Sequence, residues 1–454
     1  MACLLEHDNN FTVAIPSYEI KNNVTYYEIH VTVGAVTWSV SHRYNDFVEL
    51  HEVLIADHCI AKEMLPQKKL IGNRDPGFIE KRKVDLEAYL RVVVNYLQRA
   101  MPLVLAKFLD FDKYDITYIL QNMAYKCFMD GDSFLMKSSE YTFNPLQLHA
   151  ISERLQKCCF PTEVSNNQHD FSHIIDFCQK LQTVIVRGGR SIIGTSNIIY
   201  NSLPFVMTMF KSVSELHFYN IHLPNVCDFG SVRLTVGCFV INNSCIKQLT
   251  DALLCDKVHK TTESSDDVWN KLVKIDFSWN ELSGIDDGIL LAPNLQNLTL
   301  DGNQIRKIEN IEKLPKLTYL CMSANYIVVE DCLYSQLKNI VFLNLSQNKI
   351  TKLSPFAKLV NLKTLDLASN SVSEASEIRY VSCLPKLEYL VLTGNPLSTI
   401  IDYRVKVFEA FGNRAQCLCL DNERPSQKEL DTAAVLRALT VVREGKTPIT
   451  IPSG

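Results

Sequence analysis

Six segments in the second half of the sequence share one spacing of apolar residues and end in asparagine. They are L-V-K-I-D-F-S-W-N (272–280), L-Q-N-L-T-L-D-G-N (295–303), L-T-Y-L-C-M-S-A-N (317–325), I-V-F-L-N-L-S-Q-N (340–348), L-K-T-L-D-L-A-S-N (362–370) and L-E-Y-L-V-L-T-G-N (387–395). The final asparagines follow one another at steps of 23, 22, 23, 22 and 25 residues. A period of this length indicates a stack of similar coils, each burying its apolar face against its neighbours.

The shared pattern, L-x-x-L-x-L-x-x-N, resembles the leucine-rich repeat. Alternate apolar side chains of a short strand would point into a common core, and the asparagine amide would bond the backbone of neighbouring coils as a ladder. We predict an α/β leucine-rich-repeat solenoid over residues 181–421, closed by a C-terminal cap at 395–421. Weaker copies at 181–187, 213–220 and 232–236 are predicted to keep the strand without the asparagine, and the polar insert 260–267 is predicted to be a loop.

The first hundred residues follow a different pattern. Residues 11–44 alternate like strands rich in β-branched and aromatic side chains, with turns at Asn22-Asn23 and Gly34-Ala35. Helical spacing begins at Asn45, returns over 78–97 and again after Pro102. This predicts an α+β domain over residues 1–118, consisting of a three-stranded antiparallel sheet with helices.

The remaining segments connect and close these two parts. Residues 119–180 are predicted to form a helical linker or N-terminal cap, with one helix near 146–157. Residues 422–454 are predicted to form a C-terminal helix and tail, because S-Q-K-E (426–429) has the pattern of a capping box.

Composition excludes several classes of protein. The net charge of −4 argues against a surface coated with basic residues for nucleic acid. The 15 cysteines show neither disulfide nor metal-site spacing, and no apolar run approaches the roughly 20 residues that span a bilayer. The start turns polar too early for a signal peptide. We therefore expect a cytoplasmic protein whose membrane contact is peripheral.

No catalytic signature is found in the sequence. A phosphate-binding loop, H-E-x-x-H, G-x-S-x-G and the kinase motifs are all missing from it. We predict no enzyme activity, no catalytic residue, no metal site and no cofactor.

An arginine beside a tyrosine stands where the third predicted strand meets a helix, in S-H-R-Y-N-D-F (41–47). The guanidinium of Arg43 offers a planar fork of donors that matches phosphate oxygens, and the ring of Tyr44 can lie flat against a sugar-like ring. More basic residues are concentrated downstream: Lys62, Lys68, Lys69, Arg74, Lys81, Arg82 and Lys83. The combination suits a phosphorylated inositol.

These motifs, in this order over roughly residues 11–115, resemble the phox-homology (PX) family. The resemblance implies that Arg43 contacts the 3-phosphate of phosphatidylinositol 3-phosphate, with Tyr44 under the inositol ring. It also implies that Lys68 meets the 1-phosphate and that Arg82 bonds the 4- and 5-hydroxyls. Two departures are Gln67, where relatives often carry proline, and His42, where a first arginine is common.

Leu70 and Ile71, in the loop beside Lys68, are membrane-insertion candidates, since each would contribute about 1.5–3 kcal/mol if fully buried in the bilayer. The alternative is that both side chains pack beneath the loop.

On the solenoid, the third and fifth positions of each repeat should face the concave surface. Tyr319, Phe342 and Tyr389, with Asp276 and Asp366, are therefore the partner-binding candidates. The alternative is that loops or the N-terminal domain cover them.

The chain as a whole also resembles the nischarin family of candidate imidazoline receptors, through the PX motif, I-I-G-T-S-N-I (192–198), N-P-L-S-T-I-I-D-Y-R (395–404) and K-E-L-D-T (428–432). The resemblance implies an endosome-associated scaffold that binds Rac- and Rab-type small GTPases, an integrin cytoplasmic tail and p21-activated kinase. Two alternatives stay open: a sorting-nexin-like cargo trafficking protein, and a regulatory subunit of a kinase or phosphatase with incidental lipid binding.

Overall fold

The computed structural model describes residues 11–68, 75–97, 101–157, 167–228, 230–254, 268–329 and 333–443. The chain divides into two compact units, one formed by residues 1–181 with 186–209 and the other by residues 182–185 with 210–454. The predicted fold class is confirmed in both: a three-stranded antiparallel sheet with helices in the first unit, and a parallel-stranded solenoid in the second.

In the first unit the elements are β1 (Phe11–Lys21), β2 (Val24–Val33), β3 (Val36–Arg43), α1 (Tyr44–His58), α2 (Pro76–Leu97), α3 (Leu103–Phe108), α4 (Phe111–Tyr114), α5 (Ile116–Lys137), β4 (Glu140–Phe143), α6 (Pro145–Gln156) and α7 (Ser172–Lys180). Chain order continues with β5 (Thr183–Arg187), β6 (Phe205–Val206), β7 (Glu215–Tyr219), β8 (Val226–Cys227), α8 (Gly230–Arg233), β9 (Cys238–Asn242) and α9 (Leu249–Leu253). The repeats then supply β10 (Lys274–Asp276), β11 (Asn297–Thr299), β12 (Tyr319–Cys321), α10 (Leu333–Gln336), β13 (Phe342–Asn344), β14 (Thr364–Asp366), α11 (Ile378–Ser382) and β15 (Tyr389–Val391). The last elements are α12 (Tyr403–Phe411), β16 (Cys419–Leu420) and α13 (Gln427–Arg443).

The meander β1-β2-β3 buries alternate side chains against α1 and α2. Asn22 and Asn23 both take positive φ, at 49° and 64°, which lets a two-residue turn follow the twist of the β1-β2 hairpin. Tyr27, Ile29 and Val31 of β2 are buried, as expected for one face of a sheet covered by helices. This core fixes the end of β3, where the candidate site begins.

Polar groups of other segments occupy both outer edges of this small sheet. Along β1, the Glu87 carboxylate accepts from the backbone N–H of Ile15, and Lys83 donates to the carbonyl of Pro16. Along β3, Asn197 exchanges backbone and side-chain hydrogen bonds with Thr37 at 2.9 and 3.0 Å. The I-I-G-T-S-N-I segment is thereby an edge cover for the sheet, which removes a site for unwanted strand addition.

The solenoid sheet pairs its strands in the order β5-β7-β9-β10-β11-β12-β13-β14-β15-β16, and the pairs from β7 onward are parallel. Equivalent residues of successive repeats lie directly opposite one another, as in Leu320, Leu343 and Leu365. These leucines are fully buried. Each repeat therefore adds one layer to a continuous apolar core.

The predicted asparagine ladder is present. The amide of Asn325 donates to the carbonyl of Leu300 in the preceding coil at 3.0 Å and accepts from the N–H of Ile305 in that coil at 3.0 Å. It also donates to Met322 and Ser323 of its own coil. The same bridging bonds are made by Asn280, Asn303, Asn348, Asn370 and Asn395, and all six side chains are buried. One coil earlier, Ser244 takes the ladder position and accepts from the N–H of Ile221.

The C-terminal cap is held by polar bonds as well as by packing. Arg404 of α12 pairs with Glu429 of α13, with Nε and Oε1 2.6 Å apart. The N–H and hydroxyl of Ser426 donate to the other carboxylate oxygen of Glu429, forming the expected capping box. These bonds fix the start of α13 against α12.

One predicted strand is wrong. Residues 230–233 form the short helix α8, and the strand of that coil is Cys238–Asn242. The apolar residues Val232 and Val236 are both buried at helical spacing, so alternation in V-R-L-T-V was a misleading signal. The weaker copies at 181–187 and 213–220 do contain strands, and the insert 260–267 lies outside the described residues.

We expect Asn325→Ala to lower the free energy of unfolding of the solenoid by about 2–5 kcal/mol, because the ladder bonds of both coils lose their partner inside the core. Asn339→Ala is the matched control, since Asn339 makes one exposed bond to the carbonyl of Pro315 and should cost less than about 1 kcal/mol. Urea denaturation followed by tryptophan fluorescence measures both. Equal losses in the two variants would show that the ladder contributes no special stability.

Candidate functional site

The junction of β3 and α1 is fixed by one carboxylate. Asp46 accepts from the backbone N–H of Arg43 and from its Nε, both at 2.9 Å. Burial alone would raise the pKa of the Asp46 carboxyl, but its bonds to Arg43 hold that pKa below the usual value. The Arg43 side chain is 47% exposed, and its two Nη atoms make no hydrogen bond to a described residue. The strand-to-helix transition thus presents a fixed cation with two donor groups directed to solvent.

His42 has a structural role. Its ring stacks on Phe108 with centroids 3.9 Å apart, and its Nε2 lies 2.6 Å from the Phe108 carbonyl oxygen. Its Nδ1 lies 3.5 Å from the Asp46 carboxylate. This position, where PX relatives often carry arginine, is therefore occupied by a packed ring that helps to hold α3 and Asp46.

Arg82 lies between two aromatic rings. Its guanidinium carbon is 4.4 Å from the centroid of Tyr44 and 4.3 Å from that of Phe78. The residue is only 8% exposed, and its Nε and Nη2 atoms are buried without a hydrogen-bond partner in the described parts of the chain. The charge of Arg82 partly offsets the rise that burial causes in the pKa of the Tyr27 hydroxyl, so the guanidinium has one polar neighbour. The burial of Nε and Nη2 without a partner still carries a desolvation cost, which an incoming acceptor would offset.

Tyr44 links Arg82 to the next loop. Its hydroxyl donates to the carbonyl oxygen of Pro66, and Lys68 stands exposed two residues further on. Burial raises the pKa of the Tyr44 hydroxyl, and the charge of Arg82 partly offsets this. Arg43 and Tyr44 are adjacent in the chain, and Tyr44 contacts Arg82. The bond from Tyr44 to Pro66 brings the loop that carries Lys68 close to these residues.

The other basic residues have mixed roles. Lys83 is 16% exposed, forms an ion pair with Glu80 and donates to the carbonyl of Pro16, so its role is structural. Lys62 and Lys81 are exposed. Lys69 and Arg74 lie outside the described residues, as do the membrane-insertion candidates Leu70 and Ile71.

Sequence reasoning missed two members of the site. Asp46 could have been found, since an acid three residues after a helix-capping position is a recognisable pattern. Phe78 precedes Arg82 by one helical turn, a spacing that brings the ring and the guanidinium together. Both residues orient cations and carry no positive charge themselves.

The other predicted residues lie on the parallel strands of the solenoid, whose solvent-directed side is the predicted concave face. Tyr319 and Phe342 stack face to face, with centroids 4.3 Å apart and planes 6° from parallel. Tyr389 is 46% exposed. Asp276 accepts from the N–H and hydroxyl of Ser278, and Asp366 accepts from the N–H of Ala368. The face therefore combines ring surfaces with carboxylates held by local bonds.

Two searches of the described residues gave negative results. Among them, no group of three or more histidine, cysteine, aspartate or glutamate side chains is arranged to hold a metal ion. Within the same residues, no helix has the length and apolar character needed to cross a bilayer.

Family comparisons agree with both units. The model "PX domain" matches residues 30–112, and the model "Leucine Rich repeats (2 copies)" matches residues 293–339, 338–380 and 360–404. The chain therefore contains a domain of a phosphoinositide-binding family and repeats of a protein-interaction family, and both families are typically non-catalytic. A PX domain suggests peripheral membrane association, and its combination with leucine-rich repeats suggests an adaptor or scaffold.

The chain is similar over short stretches to much longer proteins. It is 33% identical over 132 residues to "Serine/threonine-protein kinase 11-interacting protein" of Gallus gallus, covering 28% of this chain and 12% of that protein. It is 37% identical over 84 residues to "Kinesin-like protein KIF16B" of Homo sapiens, covering 17% of this chain and 6% of that protein. Among solved structures, "X-ray structure of a designed CISK-PX domain" is 33% identical, with a TM-score of 0.21, and the match covers 22% of this chain and 97% of that one.

We expect Arg82→Met to leave the stability of the first unit unchanged to within about 1 kcal/mol, or to increase it. The variant loses ring contacts but also removes a buried charge, two of whose nitrogen atoms have no hydrogen-bond partner among the described residues. Hydrogen exchange of peptides from α2 measures the effect. Lys81→Met on the same helix is the control, because Lys81 is exposed and forms no ion pair with a described residue, so the change should cost less than about 1 kcal/mol. A loss above about 3 kcal/mol in Arg82→Met would mean that this arginine is kept for folding.

Proposed function

We propose that the protein is a phosphatidylinositol 3-phosphate-binding adaptor of endosomal membranes, which binds signalling partners through its leucine-rich repeats. The single observation that carries the lipid proposal is the buried guanidinium of Arg82, which lies between Tyr44 and Phe78 with two atoms unbonded by described residues. A side chain in this state has donors available for a ligand.

Each member of the site has a proposed part. Arg43 binds the 3-phosphate through its two Nη groups, since Asp46 already occupies Nε. The Tyr44 ring supports the inositol ring on the face that Arg82 leaves free. Arg82 bonds the 4- and 5-hydroxyls, and Lys68 meets the 1-phosphate. Leu70 and Ile71 remain proposed membrane-insertion residues.

These contacts would give modest and reversible membrane binding. A charge-assisted hydrogen bond contributes about 1.5–3 kcal/mol net, and each basic side chain near an anionic leaflet adds about 1 kcal/mol. Exposed Lys62 and Lys81 would act in this second way. A second contact, made by the solenoid to a membrane-bound partner, would raise the effective affinity without any new lipid contact.

On the protein side, we propose Tyr319, Phe342, Tyr389, Asp276 and Asp366 as the partner-binding residues. Membership of the nischarin family is part of this proposal, and with it the partners that the resemblance implies: Rac- and Rab-type small GTPases, an integrin cytoplasmic tail and p21-activated kinase. We further propose that the chain has no enzyme activity of its own.

The printed names of two relatives bear on the alternatives. A kinase-interacting relative with 33% identity favours a regulatory subunit of a kinase as the second candidate. A kinesin-like relative with 37% identity favours cargo trafficking. Loss of cargo recycling while GTPase binding persists would favour trafficking. Equal binding to GTP- and GDP-loaded GTPases, together with binding to a kinase, would favour the regulatory role.

We expect Arg43→Gln to weaken binding of the full chain to liposomes containing phosphatidylinositol 3-phosphate by at least about tenfold, because the phosphate loses its fixed fork of donors. Co-sedimentation with liposomes that each contain one phosphoinositide measures affinity and lipid choice. Lys21→Gln is the matched control. It removes one exposed cation, paired with Glu19 near the β1-β2 turn, and should change binding by less than about threefold.

Two results would contradict the lipid proposal. Equal binding to all phosphoinositides would show a general attraction to anionic membranes, without reading of the 3-phosphate. A folded wild-type protein that binds no liposome would indicate that the PX domain serves as a protein-docking surface.

A further inference from the structure

On the predicted concave face, a short side chain stands between two aromatic ones, and we call the position between the two rings the slot. Phe342, Thr364 and Tyr389 occupy equivalent positions on β13, β14 and β15 and lie opposite one another in the strand register. The small side chain of Thr364 therefore separates two large rings. Neighbouring strands are about 4.8 Å apart, so two strand steps set the ring-bearing backbones roughly 9–10 Å apart.

The orientation of the Phe342 ring follows from its contact with Tyr319. Phe342 stacks on Tyr319 with nearly parallel planes, so one face of the Phe342 ring is covered and the opposite face is directed along the row toward Thr364. Threonine is too short to cover that face. A planar group in van der Waals contact with both Phe342 and Tyr389 requires roughly 7–8 Å between the rings, so the two side chains must lean toward each other from backbones roughly 9–10 Å apart.

A carboxylate lies at the same place. Asp366 follows Thr364 by two residues on β14, so both side chains are on one face of the strand. Its Oδ1 accepts from the N–H of Ala368, and its Oδ2 makes no hydrogen bond to a described residue. Asp366 forms no ion pair with a described lysine, arginine or histidine, and the negative charge of Asp421 adds to burial in raising its pKa. The local field thus favours a cation.

We propose that this slot, formed by Phe342, Thr364, Tyr389 and Asp366, receives an arginine side chain of a protein partner. The planar guanidinium stacks between the two rings, and its N–H groups donate to the free oxygen of Asp366. Lysine fits less well because its compact, strongly hydrated ammonium cannot stack between ring faces. The inference rests on the proposed partner-binding role of the concave face and specifies the chemistry that the face selects.

The test is a selection of random 12-residue peptides, displayed on phage, against the full chain, followed by fluorescence anisotropy with the selected peptides. We expect a single arginine to be enriched. Replacing it by citrulline, its neutral analogue, should weaken binding to the wild-type chain by about tenfold or more. The same replacement should have little effect on binding to Asp366→Asn, because the two changes remove the same interaction.

Tyr389→Ala removes one wall of the slot at an exposed position. It should weaken the binding of arginine-containing peptides by about tenfold without unfolding the chain. Tyr326→Ala is the matched control, since Tyr326 is 49% exposed and lies outside this row of strand residues. It should leave the affinity unchanged. Circular dichroism of each variant establishes that the solenoid remains folded.

The outcomes separate the slot from the broader function. Two results would overturn the slot and leave the concave face as a partner site. In the first, Tyr389→Ala weakens binding of peptides that show no arginine preference. In the second, peptides with lysine in place of arginine bind equally well. Peptides unaffected by both Tyr389→Ala and Asp366→Asn would overturn the slot and the proposed use of the concave face together. Liposome binding is measured separately and is independent of both results.

Discussion

The side-chain amide of each ladder asparagine satisfies backbone groups of two coils at once, and the geometry of the solenoid depends on this. A short three-residue strand leaves much of each coil without regular secondary structure, so its buried N–H and C=O groups need other partners. Asn303, Asn325 and Asn348 supply these partners at every step. Because the ladder holds adjacent coils at one separation, residues at equivalent positions form straight rows across the concave face. The stack of Tyr319 on Phe342 is a product of this regularity.

The two units place charge in different ways. In the repeat array, carboxylates such as Asp276 and Asp366 accept from backbone groups two residues away, which fixes their position. In the PX domain, a guanidinium is buried between rings with unbonded nitrogen atoms. The first arrangement leaves one carboxylate oxygen of Asp366 unbonded by described residues, whereas the second leaves two buried guanidinium nitrogens without such a partner. The proposed lipid site is therefore the place where this chain most clearly departs from an arrangement optimised for stability alone.

The repeat period could be predicted from the sequence because the same pattern of buried apolar residues and a bridging asparagine occurs six times. The same holds for the meander, whose alternation and Asn22-Asn23 turn are local signals. The coil before β9 was misread because Val232 and Val236 are buried from a short helix, which a five-residue alternation cannot distinguish from a strand. In the candidate site, the cations were predicted from their motif. The contact of Phe78 with Arg82 depends on helix geometry, and the packing of His42 depends on Phe108, 66 residues further along the chain. The slot at Thr364 becomes visible only when strand register places non-consecutive residues side by side.

The segment that covers β3 has a consequence for the order of synthesis. Thr195 and Asn197 bond the backbone of Ser39, Ala35 and Thr37. Both residues follow β5, a strand of the solenoid sheet that ends at Arg187. The first unit includes residues 186–209, so its last pieces leave the ribosome after the first strand of the second unit. The first unit can therefore cover this sheet edge only after the ribosome has begun the second unit. An early pause or truncation within residues 119–190 would leave an exposed strand available to chaperones and to other nascent chains.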